Sequence, residues 1–261
     1  MKKTIIFTLI FMVGLAIFFK DKKIAELEIN SKKEAVTKAE TSEKPMVVEE
    51  KPFSKLEYKL GFDVSLGLDK SFNVKVENLE NGLVLPSDFA YCEGKDKDGK
   101  NIRPEISWKN APEGTKSFAV FVIDPDVPTD FTDANKQDKI IPATLARQNF
   151  FHFGMVNIPA DISKIERGEG RGQAKQQPKF GRLAINDYAA FYEPDANFIG
   201  WDGMCPPWND EKVHRYIFVV YALKVEDIVV GKQFMAKEVF KKIADNAIGY
   251  GYQFGMFTRN N

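Results

Sequence analysis

Only two histidines occur in the 261-residue chain, and both lie where an imidazole ring could do chemistry. His152 interrupts the apolar run Phe150–Phe153, and His214 stands just before a long apolar run that begins at Tyr216. An imidazole can donate, accept or carry a proton near neutral pH, so two rings at strand edges could share one hollow. Two ordinary half-buried histidines are the alternative, and without further information that alternative is the better supported.

Two carboxylates and a glycine-proline loop could complete such a site. Asp124 and Asp126 follow the apolar run that ends at Ile123. Proline and aspartate there are typical of a turn that ends a strand, although a carboxylate could also orient a histidine. In Gly203–Pro207, glycine permits close backbone approach, so N–H groups could hold an oxyanion, but a structural turn is equally open. No histidine pair has metal-ligand spacing, so we expect no metal or other cofactor.

The charge balance excludes recognition by a strong overall field. Lysine and arginine together number 37, and aspartate and glutamate also number 37. Net charge therefore draws the protein neither to nucleic acid nor to an acidic membrane, and any recognition must be local. The 22 phenylalanines, 8 tyrosines and 3 tryptophans supply large rigid side chains for a β-core and for pocket walls.

The N-terminal part of the chain is typical of a targeting segment rather than of a folded domain. Lys2 and Lys3 precede the apolar run Ile5–Phe19, which is the order of a secretory signal, so residues 1–19 are predicted to be a signal peptide or a short membrane anchor. We expect an exported protein of the periplasm or cell envelope, secreted if the leader is cleaved and membrane-anchored if it is not. Residues 20–55, rich in Lys and Glu, are predicted to be a charged spacer, disordered or partly helical.

Residues 56–261 are predicted to form one mainly β domain. Short apolar runs alternate there with Pro, Gly, Asn and Asp, which is typical of a β-sandwich or barrel. Phe72–Val76 alternates as a half-solvated strand does. Ser117–Ile123 and Tyr216–Val225 are almost continuously apolar, which predicts central strands covered on both faces.

The C-terminal quarter predicts one helix and a last strand. Apolar residues at helical spacing between Val225 and Ile248 indicate an amphipathic helix that caps the sandwich, and residues 250–256 alternate as a strand does. The segment Gly168–Asn197, rich in Gly, Gln and Pro, is predicted to be a long surface loop.

Taken in order, five segments resemble the signature segments of the phosphatidylethanolamine-binding protein family, and the bacterial Raf-kinase-inhibitor-like branch fits best. The resemblance covers roughly residues 62–259 and leaves out the N-terminal part. The segments are Asn101–Trp108, Asp124–Pro128, His152–Pro159, Gly203–Pro207 and His214–Tyr216.

The resemblance implies two packed antiparallel sheets with short peripheral helices, a C-terminal helix, and a pocket for phosphate-like groups. Asp124, His152, His214 and Tyr216 would line the pocket. Asp126 would lie near its rim and Trp201 in its wall. Gly203 and Cys205 would supply backbone donors. The resemblance also places Cys92 and Cys205 near the rim, where a disulfide and two free thiols remain open alternatives.

Such a pocket is physically reasonable as a small anion site. Histidine N–H groups, the Tyr216 hydroxyl and loop amides would offer a phosphate several donors. The Asp124 carboxylate would repel an anion unless it paired with an imidazolium, so we expect Asp124 to hold one histidine as the cation.

Three functions compete at this level. The first is a non-catalytic binding protein for a phosphorylated molecule or a phospholipid headgroup. The second is a hydrolase that uses Asp124, His152 and His214, although no nucleophile stands beside them. The third is an inhibitor of a kinase or protease, which would work through its loops and a protein target.

Overall fold

The computed structural model describes residues 62–260 except residues 81, 94, 96, 169–177 and 193–197. The predicted leader and the predicted charged spacer therefore lie outside the described residues. Within the described ranges, no helix is long and apolar enough to cross a membrane.

The described residues are mainly β-strand. The strands are β1 (Asn73–Val76), β2 (Cys92–Glu93), β3 (Lys97–Asp98), β4 (Ile106–Lys109), β5 (Ser117–Pro128), β6 (Arg147–Pro159), β7 (Lys164–Ile165), β8 (Arg182–Leu183), β9 (His214–Leu223) and β10 (Ala247–Phe257). One α-helix, α1, spans Ala236–Ile243, and 3-10 helices span Ser87–Phe89 and Asp187–Phe191.

Two antiparallel sheets make up the sandwich. The larger has the strand order β10-β9-β5-β6-β8, and the smaller has the order β1-β4-β7. A third pairing, β2 with β3, is a two-residue ribbon. The predicted fold class is therefore confirmed: the domain is mainly β, with packed antiparallel sheets and short peripheral helices.

The central strands β5 and β9 are buried on both faces, as their continuous apolar runs predict. On one face, Phe118 and Val120 pack with Trp108 of the smaller sheet, and the rings of Phe118 and Trp108 lie 5.1 Å apart. On the other face, Phe121 packs on Phe240 of α1, with ring centroids 5.2 Å apart. Because successive strand residues point to opposite faces, one apolar run supplies two cores.

The predicted C-terminal helix is present but covers only eight of the residues between Val225 and Ile248. The residues before it form bends and irregular backbone. They are fixed at Ile228 by the side chain of Asn157, which accepts a hydrogen bond from the N–H of Ile228 and donates one to its carbonyl. Apolar spacing alone did not reveal this tertiary constraint.

The prediction of a long loop over Gly168–Asn197 is wrong in its second half. β8 pairs there with the edge of β6, and the 3-10 helix Asp187–Phe191 begins where the Asn186 side chain accepts a hydrogen bond from the N–H of Tyr188. Because the segment is rich in Gly, Gln and Pro, its composition predicted neither β8 nor the 3-10 helix. Residues 169–177 and 193–197 lie outside the described part.

We predict that Phe121→Ala lowers the free energy of unfolding by about 3–5 kcal/mol, because Phe121 is fully buried among Phe151, Tyr221 and Phe240. Urea unfolding measures the change. Val229→Ala, at a side chain that is 85% exposed, is the control and should stay within about 0.5 kcal/mol of wild type. Equal losses in the two variants would contradict the assigned core.

Candidate functional site

Two β-bulges at one end of the β5–β6 pair bring polar residues to a common hollow. His152 is an extra residue on β6, opposite the step from Val122 to Ile123 on β5. Between Asp124 and Val127 the extra residue is on β5. A bulge breaks the alternation of faces and re-aims the side chains beside it, so His152 and Asp124 can both face the hollow.

β5 continues through the bulge to Pro128, so of the two alternatives for the segment after Ile123, a turn that ends the strand is ruled out. The N–H of Asp126 donates to Oδ1 of Asp124 at 2.8 Å, which satisfies a donor that the bulge takes out of the ladder. The Asp124 side chain therefore satisfies the backbone locally within the strand.

Strand β9 supplies the other two polar residues of the hollow by simple alternation. His214, Tyr216 and Phe218 are two residues apart and point to the same face, where Phe218 joins the core between the sheets. Toward the start of β9, the side chains on that face are no longer apolar: they are the phenol of Tyr216 and the imidazole of His214.

His214 lies between two carboxylates. Its Nδ1 is 2.7 Å from Oδ2 of Asp124, and its Nε2 is 3.2 Å from Oδ2 of Asp210. Burial alone would lower the pKa of His214, but the two carboxylates outweigh it and raise the pKa to about 9. Both nitrogens therefore carry protons at neutral pH, and the histidine is the cation that Asp124 was expected to hold.

His152 is held in the opposite charge state. Its Nδ1 lies 2.8 Å from the carbonyl oxygen of Asp202, which can only accept, so Nδ1 carries a proton. Burial lowers the pKa of His152, and although Asp124 opposes this, the ring is neutral near pH 7. Its Nε2 therefore has a lone pair and acts as a hydrogen-bond acceptor, 4.0 Å from Oδ2 of Asp124.

Two buried polar atoms beside Asp124 have no hydrogen-bond partner among the described residues, namely Nε2 of His152 and the hydroxyl of Tyr216. Burial and the nearby charge of Asp124 raise the pKa of Tyr216, so the phenol stays protonated and can donate. Because an unpaired buried polar atom costs about 1–3 kcal/mol, such atoms mark a place that a polar ligand can complete.

The hollow is a cavity of about 170 Å³ with a polar floor and an aromatic mouth. Tyr188 and Phe150 pack edge to face in its wall, and the half-exposed rings of Phe191 and Tyr192 stand at the opening. The lining residues are Asp124, Val127, Phe131, Asn135, Phe150, His152, Tyr188, Phe191, Tyr192, Cys205, Pro206, Pro207, His214 and Tyr216.

Asp126, which was expected near the rim, is not among the residues that line the cavity. It is fully buried. Its carboxylate accepts hydrogen bonds from Arg215 and forms an ion pair with Lys212. Burial would raise the pKa of Asp126, but these two cations hold it below its usual value. The bulge separates Asp126 from Asp124, so one carboxylate serves the pocket and the other fastens β5 to β9.

Trp201 and Gly203 also serve structure rather than the cavity lining. Trp201 is fully buried in the core between the sheets and stacks on Phe218 at 6.2 Å. The N–H of Gly203 donates to the Asn101 side chain and is not available to a ligand. Glycine is needed because a Cβ there would lie 1.8 Å from the carbonyl oxygen of Phe89.

Cys205 lies in the cavity wall and is joined to Cys92 by a disulfide, with the two Cα atoms 4.8 Å apart. Of the two alternatives left open by the sequence, the structure therefore has the bridge. It ties the wall of the cavity to β2, and Met204 supports the same connection by accepting hydrogen bonds from the N–H groups of Tyr91 and Cys92.

Three important residues escaped sequence reasoning. Asp210 completes the clamp on His214, Asp202 fixes the tautomer of His152, and Tyr188 lines the wall. The four-residue spacing of Asp210 and His214 and the aromatic residues of 187–192 were available signals. The role of Asp202 was not readable, because it acts through a backbone carbonyl.

The arrangement does not support a hydrolase. In a hydrolytic triad, a carboxylate holds one histidine nitrogen and the other nitrogen faces a nucleophile. Here the second nitrogen of His214 faces Asp210, and His152 is oriented by a carbonyl. Among the described residues, no group of three or more His, Cys, Asp or Glu side chains could hold a metal ion.

Residues 75–257 match the family model described as phosphatidylethanolamine-binding protein. The chain is 32% identical to the Escherichia coli protein YbcL over 160 residues, which cover 61% of this chain and 73% of YbcL. It is 33% identical to YbhB of the same organism over 153 residues, 59% of this chain and 78% of YbhB.

Solved structures give the same result for the fold. The crystal structure of E. coli YbcL matches with a TM-score of 0.57 and 29% identity, covering 72% of this chain and 98% of that one. A protein from Chlamydia trachomatis matches with a TM-score of 0.52 and 21% identity, covering 74% of this chain and all of that one, which supports the fold alone.

The raised pKa of His214 predicts a stability change in alkaline solution. A histidine whose pKa is about 6.5 unfolded and about 9 folded contributes fully below pH 6.5, and the contribution is lost as the pH rises through 9. We expect the free energy of unfolding to fall by up to about 3 kcal/mol between pH 6.5 and 9.5, measured with urea. His214→Gln should be less stable at pH 6.5 but should lack this fall. The same slope in both proteins would contradict the clamp.

The disulfide predicts the outcome of thiol labelling. Alkylation of the unfolded protein without reductant should add no label, and alkylation after reduction should add two, as measured by intact mass. Reduction should also lower the free energy of unfolding by about 2–5 kcal/mol, because the bridge spans 113 residues. Two labels without reductant would refute the bridge.

Proposed function

The chain belongs to the phosphatidylethanolamine-binding protein family, and we propose that its cavity binds a small phosphorylated molecule or a phospholipid headgroup without catalysing a reaction on it. Family membership supports a binding-protein fold. The ligand class is our inference from the chemistry of the cavity.

One observation carries the proposal. At the floor, Nε2 of His152 and the hydroxyl of Tyr216 are buried and unpartnered beside the Asp124 carboxylate. They offer an acceptor and a donor within one small space. A phosphate monoester could satisfy both with a P–OH and a phosphate oxygen, and an ethanolamine headgroup could do so with its ammonium group and a phosphate oxygen. The cavity volume of about 170 Å³ suits a headgroup rather than a whole lipid.

The aromatic mouth supports a ligand with an apolar or extended part beyond its polar group. Phe131 and Phe191 meet edge to face at 5.1 Å, and Tyr192 stands beside Phe198 at 4.7 Å. Rings at the opening can cover apolar surface while the floor holds the polar end, as ligand pockets commonly do.

Binding could serve to sequester the ligand or to inhibit a kinase or protease. An inhibitor that works through its loops should keep its inhibition when the cavity floor is altered. Tyr216→Phe therefore separates ligand binding by the cavity from inhibition by the loops. Loss of inhibition in that variant would mean that inhibition also depends on the cavity.

We further propose export to the cell envelope. The apolar N-terminal run supports it, and a disulfide is typical of oxidising compartments. Fractionation of the native host should place the protein outside the cytoplasm, either free or in the membrane fraction according to leader cleavage. Recovery in the cytoplasm would contradict this.

Two tyrosines of β9 give a matched test of the binding site. Tyr216→Phe removes an unpartnered buried hydroxyl at the floor, so we expect affinity for O-phosphoethanolamine to fall about tenfold or more while stability stays equal or rises. Tyr221→Phe removes a hydroxyl that donates to the carbonyl of Val64 on the opposite face. It should lose about 1 kcal/mol of stability and keep its affinity. Calorimetry and urea unfolding measure the two effects.

Unchanged affinity in Tyr216→Phe, or the same loss in both variants, would contradict the assignment of the floor. Absence of O-phosphoethanolamine binding by the wild-type protein between pH 5.5 and 8 would contradict the proposed function itself.

A further inference from the structure

The imidazole N–H groups that were expected to hold a phosphate are already used within the protein. Both N–H groups of His214 face carboxylates, and Nδ1–H of His152 faces the Asp202 carbonyl. The hydroxyl of Tyr188 donates to the carbonyl oxygen of Gly203. At the floor, the hydroxyl of Tyr216 makes no hydrogen bond of ordinary length to the described residues, although it interacts with the Asp124 carboxylate.

The floor instead presents acceptors. Nε2 of His152 has a lone pair and no partner, and it lies 4.0 Å from Oδ2 of Asp124. An atom placed between these two acceptors would be within hydrogen-bonding distance of both. An oxygen there that carries a proton can donate it to one of the two acceptors, whereas an anionic oxygen would meet a lone pair and a carboxylate with no donor of its own.

The charges of the cavity do not favour a doubly charged anion. Asp124 and His214 are the carboxylate and the cation among the described lining residues, and they neutralise each other. The nearby cations Arg147 and Lys212 are paired with Asp210 and Asp126. A singly charged ligand therefore meets less repulsion from Asp124 than a doubly charged one.

We propose that the cavity binds a phosphate monoester as its singly charged form, in which the ligand's own P–OH donates to Nε2 of His152 while the Tyr216 hydroxyl donates to an anionic phosphate oxygen. This inference rests on the proposed function and names the ionisation state that the same site selects. The binding step includes no covalent change and no transfer of a proton between ligand and protein.

The surroundings of His152 disfavour a second proton on its ring. The groups that face its ring are Asp124 from β5, His214 and Tyr216 from β9, Tyr188 from the 3-10 helix and Asp202 from the following loop. Burial, the largest influence, and the neighbouring His214 cation lower the pKa of His152. Asp124 and the backbone of Asp202 and Gly203 act in the opposite direction, and the net shift of the pKa is downward.

Methyl phosphate and methyl sulfate provide a direct test. At pH 5.5 both are mainly single anions of similar shape, because the second pKa of a phosphate monoester is about 6. They differ in the P–OH group. We expect methyl phosphate to bind wild-type protein about tenfold or more tightly than methyl sulfate at pH 5.5 in calorimetry. Between pH 6 and 8 its affinity should fall by up to about a hundredfold, while methyl sulfate changes little.

His152→Phe should bring the two affinities close together, since the ring is kept and the acceptor is lost. If that variant does not fold, the comparison of methyl phosphate with methyl sulfate on the wild-type protein still tests the inference. Equal binding of the two esters at pH 5.5, a parallel gain of both on acidification, or equally tight binding of ethanolamine alone would overturn the inference. If neither methyl phosphate nor O-phosphoethanolamine binds at either pH, the proposed function fails as well.

Discussion

The buried imidazolium of His214, held between the carboxylates of Asp124 and Asp210, is the interaction on which the rest of the site depends. It joins β5 to β9 and to the loop before β9. Arg147 in turn donates bidentate hydrogen bonds to the carboxylate of Asp210. Ions buried in this way are costly to desolvate, so removing one partner would leave an uncompensated charge. The clamp therefore fixes both the shape and the charge of the cavity floor.

The charge of His214 also determines what its neighbour can do. A second cation close by is unfavourable, so His152 stays neutral and its free nitrogen accepts rather than donates. The two histidines thus differ in what the structure does with them: His214 joins parts of the protein through two carboxylates, and His152 leaves an unpartnered acceptor at the cavity floor. A cavity with balanced charge recognises its ligand through hydrogen-bond pattern more than through electrostatic attraction.

The sequence predicted the parts of this arrangement that follow from strand alternation. The central strands and the shared face of His214 and Tyr216 need only a period of two residues. Asp126 was misplaced because a bulge changes that period, and bulges have no clear signature in a single sequence. Trp201 was taken for a wall residue by family resemblance, but the core between the sheets buries it. Hydrogen bonds to backbone carbonyls, such as that of His152, are set by tertiary structure alone.

Nitrogen NMR of the two imidazole rings tests the central claim most directly. Because the chain has only two histidines, ¹⁵N-histidine labelling gives two nitrogen signals for each ring, and His152→Phe assigns them. At pH 7.5 the account predicts that both nitrogens of His214 are protonated and that His152 is neutral, with its proton on Nδ1. A neutral His214, or a proton on Nε2 of His152, would contradict it.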